Sequence, residues 1–195
     1  FHAMGAGNFH ELMLAVAKDP AMLAFLDAGV NVKGAPNENF AREIMELFTM
    51  GVGNYDEQDI REAARAFTGW NYVDLHFVFH EHEHDGARKV FLDRSGEFDG
   101  EDIIAMIMEQ PTTAEYIAGK IYRFFVRTEL STELQSALGS VLRAADYEIA
   151  TLLETIFLSK DFYSDASVGT HIKSPVELAI SCLLYTSPSP RDLAQ

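Results

Sequence analysis

The sequence predicts a mostly α-helical domain carrying one small β-hairpin insert. Three observations predict it. Most of the chain reads as segments of roughly ten to sixteen residues with apolar side chains at helical spacing, each bounded by a capping residue or a Gly or Pro stop. One stretch only, HFVFHEHEH from His76, alternates with the period of a strand, and it runs straight into Asp85-Gly86, a strong hairpin-turn signal. Finally, 195 residues with 48% hydrophobic and 23% charged content suit a single globular domain that buries a core.

The elements follow in order. GNFHELMLAVAKDPAMLAFL, residues 7 to 26, holds two short helices split at Asp19-Pro20, because proline interrupts one helix and opens the next. After the loop AGVNVKGAP, the segment NENFAREIMELFTMG starts a helix at Asn37 as N-cap and stops it at Gly51. At ~100° per residue, Phe40, Ala41, Ile44, Met45, Leu47 and Phe48 fall on one arc, and Glu38, Asn39, Arg42, Glu43 and Glu46 fill the other. Asp56 caps the next helix, whose stripe of Ile60, Ala63, Ala64 and Phe67 ends at Gly69-Trp70. The hairpin comes next, with strands expected near 76–83 and 88–92, ARKVFL supplying the return strand. Three helical segments close the chain: GEDIIAMIMEQ; TTAEYIAGKIYRFFVR with a Thr112 to Glu115 capping box; and a long segment from Thr132 that breaks near Asp146.

Charge and cysteine usage narrow the function classes. Thirty acids against 15 bases give a net charge of −15, spread along the chain, and such a field repels polyanions, so no nucleic-acid partner is expected. The single cysteine, Cys182, rules out an internal disulfide and a cysteine cage for zinc. No run reaches the ~18 to 20 apolar residues of a membrane span. No G-x-S-x-G, phosphate-binding loop, dinucleotide fingerprint or cysteine pair occurs, which leaves serine-hydrolase, nucleotide-binding and dithiol readings without support.

Two constellations remain as candidate sites. Spacing of four places Glu38, Arg42 and Glu46 in one ladder and Asn39 with Glu43 in a second, so carboxylates converge with an arginine and can hold a hard cation or share a proton. The competing reading is a solvated helix face laced by ion pairs worth about 0.2 to 0.5 kcal/mol each. The arc contains no Lys, the commonest surface filler, and it carries Asn39 in the first turn. We therefore expect Asn37, Asn39, Arg42 and Glu46 to lie against another part of the chain, with Thr68 to Trp70 as partner and His84-Asp85 as second candidate. If that arc is buried, loss of Arg42 should cost on the order of 3 kcal/mol.

Four of the seven histidines cluster between His76 and His84. His80-Glu81-x-x-His84 satisfies the H-E-x-x-H pattern, which works only on a helix, and here strand character precedes it and a turn follows. On a strand, His80, His82 and His84 would share one face and offer an H-x-H chelate, although the expected turn places Lys89 across from His82. Trp70 reads first as a core or lid aromatic and second as a binding platform. The tail CLLYTSPSPRDLAQ, residues 182 to 195, has no apolar period and reads as unstructured; it resembles adapter sequence translated at the end of an environmental contig. Together with a start at Phe1, this leads us to expect a fragment, with residues 1 to 181 forming part of a helical domain.

The blocks GNFHELMLAVAKDPAMLAFLD, PNENFAREIMELFTMGVGNYDEQDIREAARAFTGW, HDGARKVFL, FDGEDIIAMIMEQPTTAEYIAGKIYRFFV and IKSPVELAI, in unbroken order over residues 5 to 181, closely resemble the bacterial family catalogued as domain of unknown function 1800. The family pattern N-E-N, A-R-E, E-L is matched from Asn37 to Leu47, and its His-Asp pair and following Lys are matched by His84, Asp85 and Lys89. The family's turn glycines are not matched: Gly86 is displaced, and Asp93 stands where Gly is typical. The resemblance implies a C-terminal part of a longer, exported bacterial protein of the periplasm, envelope or extracellular space, with a sulfatase-like family as partner. The leading function class is a non-catalytic binding or assembly module of the envelope. The alternative is a metal-assisted hydrolase using the arc from Asn37 to Glu46 with Trp70 nearby and His84-Asp85 arriving from the hairpin, which requires a divalent metal as cofactor.

Overall fold

A computed structural model describes residues 4–170 and 172–186, the last three without their side chains. Among the described residues there are nine α-helices and two small antiparallel sheets of two strands each. The chain is mostly α-helical, as the periodicity predicts.

The helix starts are set by short polar side chains. Asn8 caps α1 (Phe9–Ala17), and Asp19 caps α2 (Pro20–Phe25), where proline takes the first helical position. Asn37 caps α3 (Glu38–Glu43) through a 3.0 Å bond to the Asn39 N–H. From Ile44 to Thr49 the same helix widens to π geometry. The Met50 and Gly51 N–H groups both donate to the Met45 carbonyl, and the Thr49 hydroxyl donates to the Ile44 carbonyl at 2.7 Å. Gly51 then turns left-handed at φ +76°, where a side chain would collide with the Tyr116 ring. The predicted helix over 37–50 is therefore present, but its second half is wound differently. Asp56 and Asp59 form a reciprocal capping box on α4 (Glu57–Ala66), and Asp99 with Asp102 does the same on α5 (Gly100–Glu109).

The single hairpin expected around Asp85-Gly86 is corrected to two hairpins on either side of it. β1 (Trp70–Val73) pairs with β2 (His76–Phe79) around Asp74-Leu75, and β3 (Lys89–Phe91) pairs with β4 (Arg94–Gly96) around Leu92-Asp93. Both central pairs are left-handed, at φ 48° and 62° and at φ 46° and 62°, as a two-residue turn matching strand twist demands. Asp85 instead bends the chain by accepting the Ala87 N–H at 3.0 Å. His80 to His84 fold into a short 3-10 turn, Glu81–Glu83, so neither a helix nor a continued strand carries the histidines.

Four further helices follow: α6 (Pro111–Phe125), α7 (Thr132–Ala144), α8 (Ile149–Phe157) and α9 (Pro175–Thr186). The Thr112 to Glu115 capping box does not form, because Pro111 already occupies the first helical position and brings Thr112 inside the first turn. The neighbouring Thr113 hydroxyl donates to the Ile107 carbonyl at 2.6 Å, and Glu115 accepts from Ser136 at 2.8 Å. The break near Asp146 is observed, with Asp146 and Tyr147 left-handed between α7 and α8. Helix α9 continues through Thr186, so the boundary drawn at 182 falls inside a helix, where Leu183 is exposed. The remainder of the expected unstructured tail lies outside the described residues.

The core is one cluster drawn from α1 to α8 and both hairpins. Trp70 belongs to it: only 3% exposed, it meets Phe67 and Phe77 edge to face at 5.1 and 5.2 Å. The core reading of Trp70 thus describes its place. The opening of α5 at Gly100 lies so close to this indole that any side chain there would clash.

Candidate functional site

The polar arc of α3 is built around Arg42. Its guanidinium reaches the start of α4 and grips Glu57 with two parallel bonds of 3.0 and 2.9 Å, and it also bonds Glu38 one turn back at 3.1 Å. The Glu57 carboxyl is held below the usual carboxylate range by these contacts. Asn37 receives a brace from behind: its backbone N–H donates to the buried Asn31 side chain at 2.8 Å, and Asn31 donates in turn to the Ala64 carbonyl at 2.8 Å. Asn39 donates to the Leu26 carbonyl at 3.3 Å. Glu46 accepts the Tyr55 hydroxyl at 3.3 Å, and Glu43 lies half-buried on the same face without joining these pairs.

The arc therefore does lie against the chain, but the partners are Glu57, Tyr55, Leu26 and Asn31. Thr68 to Trp70 and His84-Asp85 are not its partners. The reason is positional: the first turn of α4, at Glu57, meets the polar side of α3 at Arg42, whereas its last turn, which carries Arg65 and leads into Thr68, brings Phe67 edge to face onto the apolar side of α3 at Phe40. Glu57 and Arg65 stand eight residues apart on α4, about 12 Å along its axis.

That last turn holds the second constellation. The Arg65 guanidinium bonds Asp85 at 2.7 Å and Glu62 at 2.8 Å. The Thr68 hydroxyl donates to the Arg65 carbonyl at 2.6 Å and accepts the Asp85 N–H at 2.8 Å. His84 Nδ1 lies 3.0 Å from the Thr68 carbonyl, while its ring meets Phe79 edge to face. Lys89 is almost fully buried, donating to the Asp85 and Ala87 carbonyls, the second at 3.1 Å. Glu62 also accepts the Val90 N–H at 3.0 Å. Burial pushes the Lys89 amine below its ordinary value, against the pull of Asp85. Burial alone would raise the Asp85 carboxyl, but the Arg65 hydrogen bond, the Ala87 N–H and the nearby cations outweigh it and hold it low.

His84, Asp85 and Lys89, matched by the resemblance, are thus three parts of one latch that fastens the segment between the hairpins onto the end of α4. The expected face-to-face placement of Lys89 and His82 is replaced by this latch. His80 and His82 stack on each other at 5.7 Å beside Glu83, while His84 turns back to Thr68, so the three imidazoles do not share a face. Among the described residues, no group of three or more His, Cys, Asp or Glu side chains is placed to hold a metal ion, and no buried polar side-chain atom lacks a partner. The arc and the latch are two separate stations at opposite ends of α4, and, Glu43 apart, each has its charged side chains engaged by groups of the chain itself.

Sequence reasoning passed over Glu57, Glu62 and Arg65, named Thr68 only as a partner of the arc, and passed over a third feature altogether. An open hollow of about 380 Å³ lies between α1, the π-wound end of α3, α6 and α8. Phe9, Leu12, Phe48, Ile121, Phe125 and Leu153 are among its apolar lining. Leu47 and Lys120 stand at its rim. Lys120, the only charged residue lining it among the described residues, donates to the Leu47 carbonyl at 3.0 Å and lies over the Tyr116 ring. The signal was present in the sequence as apolar residues on helices already full of core positions, but spacing does not say which of these stay uncovered.

These features define a helical domain whose two hairpins are pinned to one helix by ion pairs and backbone contacts. The chain belongs to the family described as Protein of unknown function (DUF1800), whose model matches residues 1–194. Neither a curated protein nor a solved structure matches it. Among the described residues, no helix is long and apolar enough to cross a membrane.

Proposed function

We propose that the chain is a non-catalytic binding or assembly module of the cell envelope, working beside a partner of the sulfatase-like family. The observation that carries the reading is the closure of both polar stations. The Arg42 guanidinium, the Asp85 carboxylate and the Lys89 amine are spent on bonds within the chain, and the distance along α4 keeps the carboxylates of the arc away from His84. A hydrolase needs a base or a metal aimed at space that substrate can enter. The hollow between α1, α3, α6 and α8 is lined by apolar side chains, and two polar hollows, one at Asp56, Asp59 and Asp93 and one at His10, Glu11 and Glu109, include neither Arg42 nor His84. The envelope setting and the partner rest on the family resemblance.

The test is turnover. Purified protein is assayed on chromogenic carboxylate, phosphate and sulfate esters, with Mg²⁺, Mn²⁺ or Zn²⁺ added in turn, beside a Glu46→Gln/His84→Ala double variant. The reading expects the two proteins to give the same background rate. Hydrolysis by the parent that the double variant loses would overturn it in favour of a metal-assisted hydrolase.

A further inference from the structure

We infer that the apolar hollow between α1, α3, α6 and α8 binds an alkyl carboxylate, with its chain along Phe9, Leu12, Ile121 and Leu153 and its carboxylate on Lys120. The inference rests on the binding reading above and supplies the ligand class. Four observations select it.

The hollow is apolar apart from its rim, so a ligand rich in polar groups would lose its hydration there without replacement bonds. The one charge on its lining among the described residues is a cation, although the chain as a whole carries −15. A polyanion is repelled by that field, whereas a monoanion meets a single matching charge. Lys120 is also positioned in advance. The Leu47 carbonyl takes one of its N–H donors and the Tyr116 ring supports the ammonium at 5.2 Å, which leaves two donors for a ligand. The Leu47 carbonyl is turned toward Lys120 from within the π-wound segment. Size speaks for a small molecule: about 380 Å³ falls within the ~300 to 1,000 Å³ of ligand sites, whereas a stable protein interface covers about 800 Å² on each partner. Leu47 and Phe125, each nearly half exposed, are the side chains that an alkyl chain would cover.

Calorimetric titration with octanoate, 1-octanol and acetate, each below any micelle-forming concentration, tests the inference. Saturable octanoate binding is expected, with weaker binding of 1-octanol and none of acetate. Lys120→Met keeps the apolar surface and removes the charge. It should lower octanoate affinity about tenfold and leave 1-octanol unchanged. Leu47→Glu, at an exposed rim position, sets a carboxylate beside Lys120 and should abolish octanoate binding while circular dichroism stays that of the parent. Absence of octanoate binding to the parent, or equal binding by parent and Lys120→Met, overturns the inference. So does a dimer in sedimentation equilibrium that Leu47→Glu dissociates and octanoate does not, since a second copy would then occupy the hollow. These outcomes are separable from the turnover assay: hydrolysis there defeats the binding reading whether or not octanoate binds, and failure of octanoate leaves that assay untouched.

Discussion

Arg42 and Arg65 each hold two carboxylates, yet they should differ in what they contribute. The partners of Arg42 are exposed, Glu57 at 66% and Glu38 at 36%, so water screens both pairs. Arg42→Ala is therefore expected to cost about 0.5 to 1 kcal/mol, below the figure that a buried arc would imply. Arg65 bonds side chains that are only 16% and 15% exposed, and those acids also organise backbone: Glu62 accepts from Val90, and Asp85 bends the chain at Ala87. Arg65→Ala should cost on the order of 2 to 3 kcal/mol, because it strands two half-buried carboxylates. Urea unfolding of both variants checks the ordering, and equal losses would show that the latch is no stronger than the arc. Thr68→Val deletes one hydroxyl that serves two backbone groups, and the orphaned Asp85 N–H predicts a loss of about 1 to 3 kcal/mol. The residues of these stations were legible as polar and specific, but their partners were not. Glu57 meets Arg42 only because of the angle at which α4 leaves the turn after Gly51, and no periodicity encodes that angle.

At the scale of elements, legibility followed the mechanism that starts or ends each one. The caps Asn37 and Asp56 were readable because a cap is a local event within three residues, and Asn8, Asp19 and Asp99, not read as caps, act in the same way. The hairpins were misplaced because the preferred left-handed dipeptides contain Gly or Asn, and here Asp74-Leu75 and Leu92-Asp93 take the role. The rigid pairing of the flanking strands and the anchoring of the Leu92 N–H on Asp59 at 2.8 Å impose that conformation on residues that disfavour it. The position where the resembling family has glycine, occupied here by Asp93, is thereby explained: it is a left-handed corner at φ 62°. Asp93→Gly should raise stability by about 0.5 to 1 kcal/mol, seen as a higher melting temperature, unless the unfolded-state entropy of glycine offsets the relief. A lower melting temperature would mean that the Asp93 side chain contributes more than its backbone strain costs. The π-wound half of α3 was not legible at all, since its apolar spacing fits an ordinary helix and only the Thr49 and Lys120 contacts show where the carbonyls turn.

For the whole molecule, the titrating groups bracket a pH range of maximal stability. The Arg127 guanidinium bonds Asp161 at 2.6 Å and the Tyr122 hydroxyl bonds the same carboxylate, and these contacts hold the Asp161 carboxyl below its ordinary 3.8. A depressed carboxyl means that the unfolded chain binds the proton first. The stabilisation is present above about pH 4 and lost as pH falls through the folded value, and Asp85 acts in the same direction. The alkaline side has the opposite sign. Burial, with the bond to Asp161, pushes the Tyr122 phenol up to about 12, and burial pushes Tyr147 up to about 12. Their contribution is complete below the unfolded value of 10.0 and is lost between there and about 12. Denaturant midpoints from pH 2 to 12 should thus describe a plateau with two falling flanks. Asp161→Asn should flatten the acid flank relative to the parent and, because the Asp161 contact also holds the Tyr122 phenol up, weaken part of the alkaline flank; Tyr147→Phe should flatten the alkaline flank and leave the acid flank intact. Comparing each variant with the parent at the same pH removes most of the general repulsion of a −15 chain, which both proteins share. If Asp161→Asn falls as steeply as the parent below pH 4, the clip between α6 and the segment after α8 is not what acid releases.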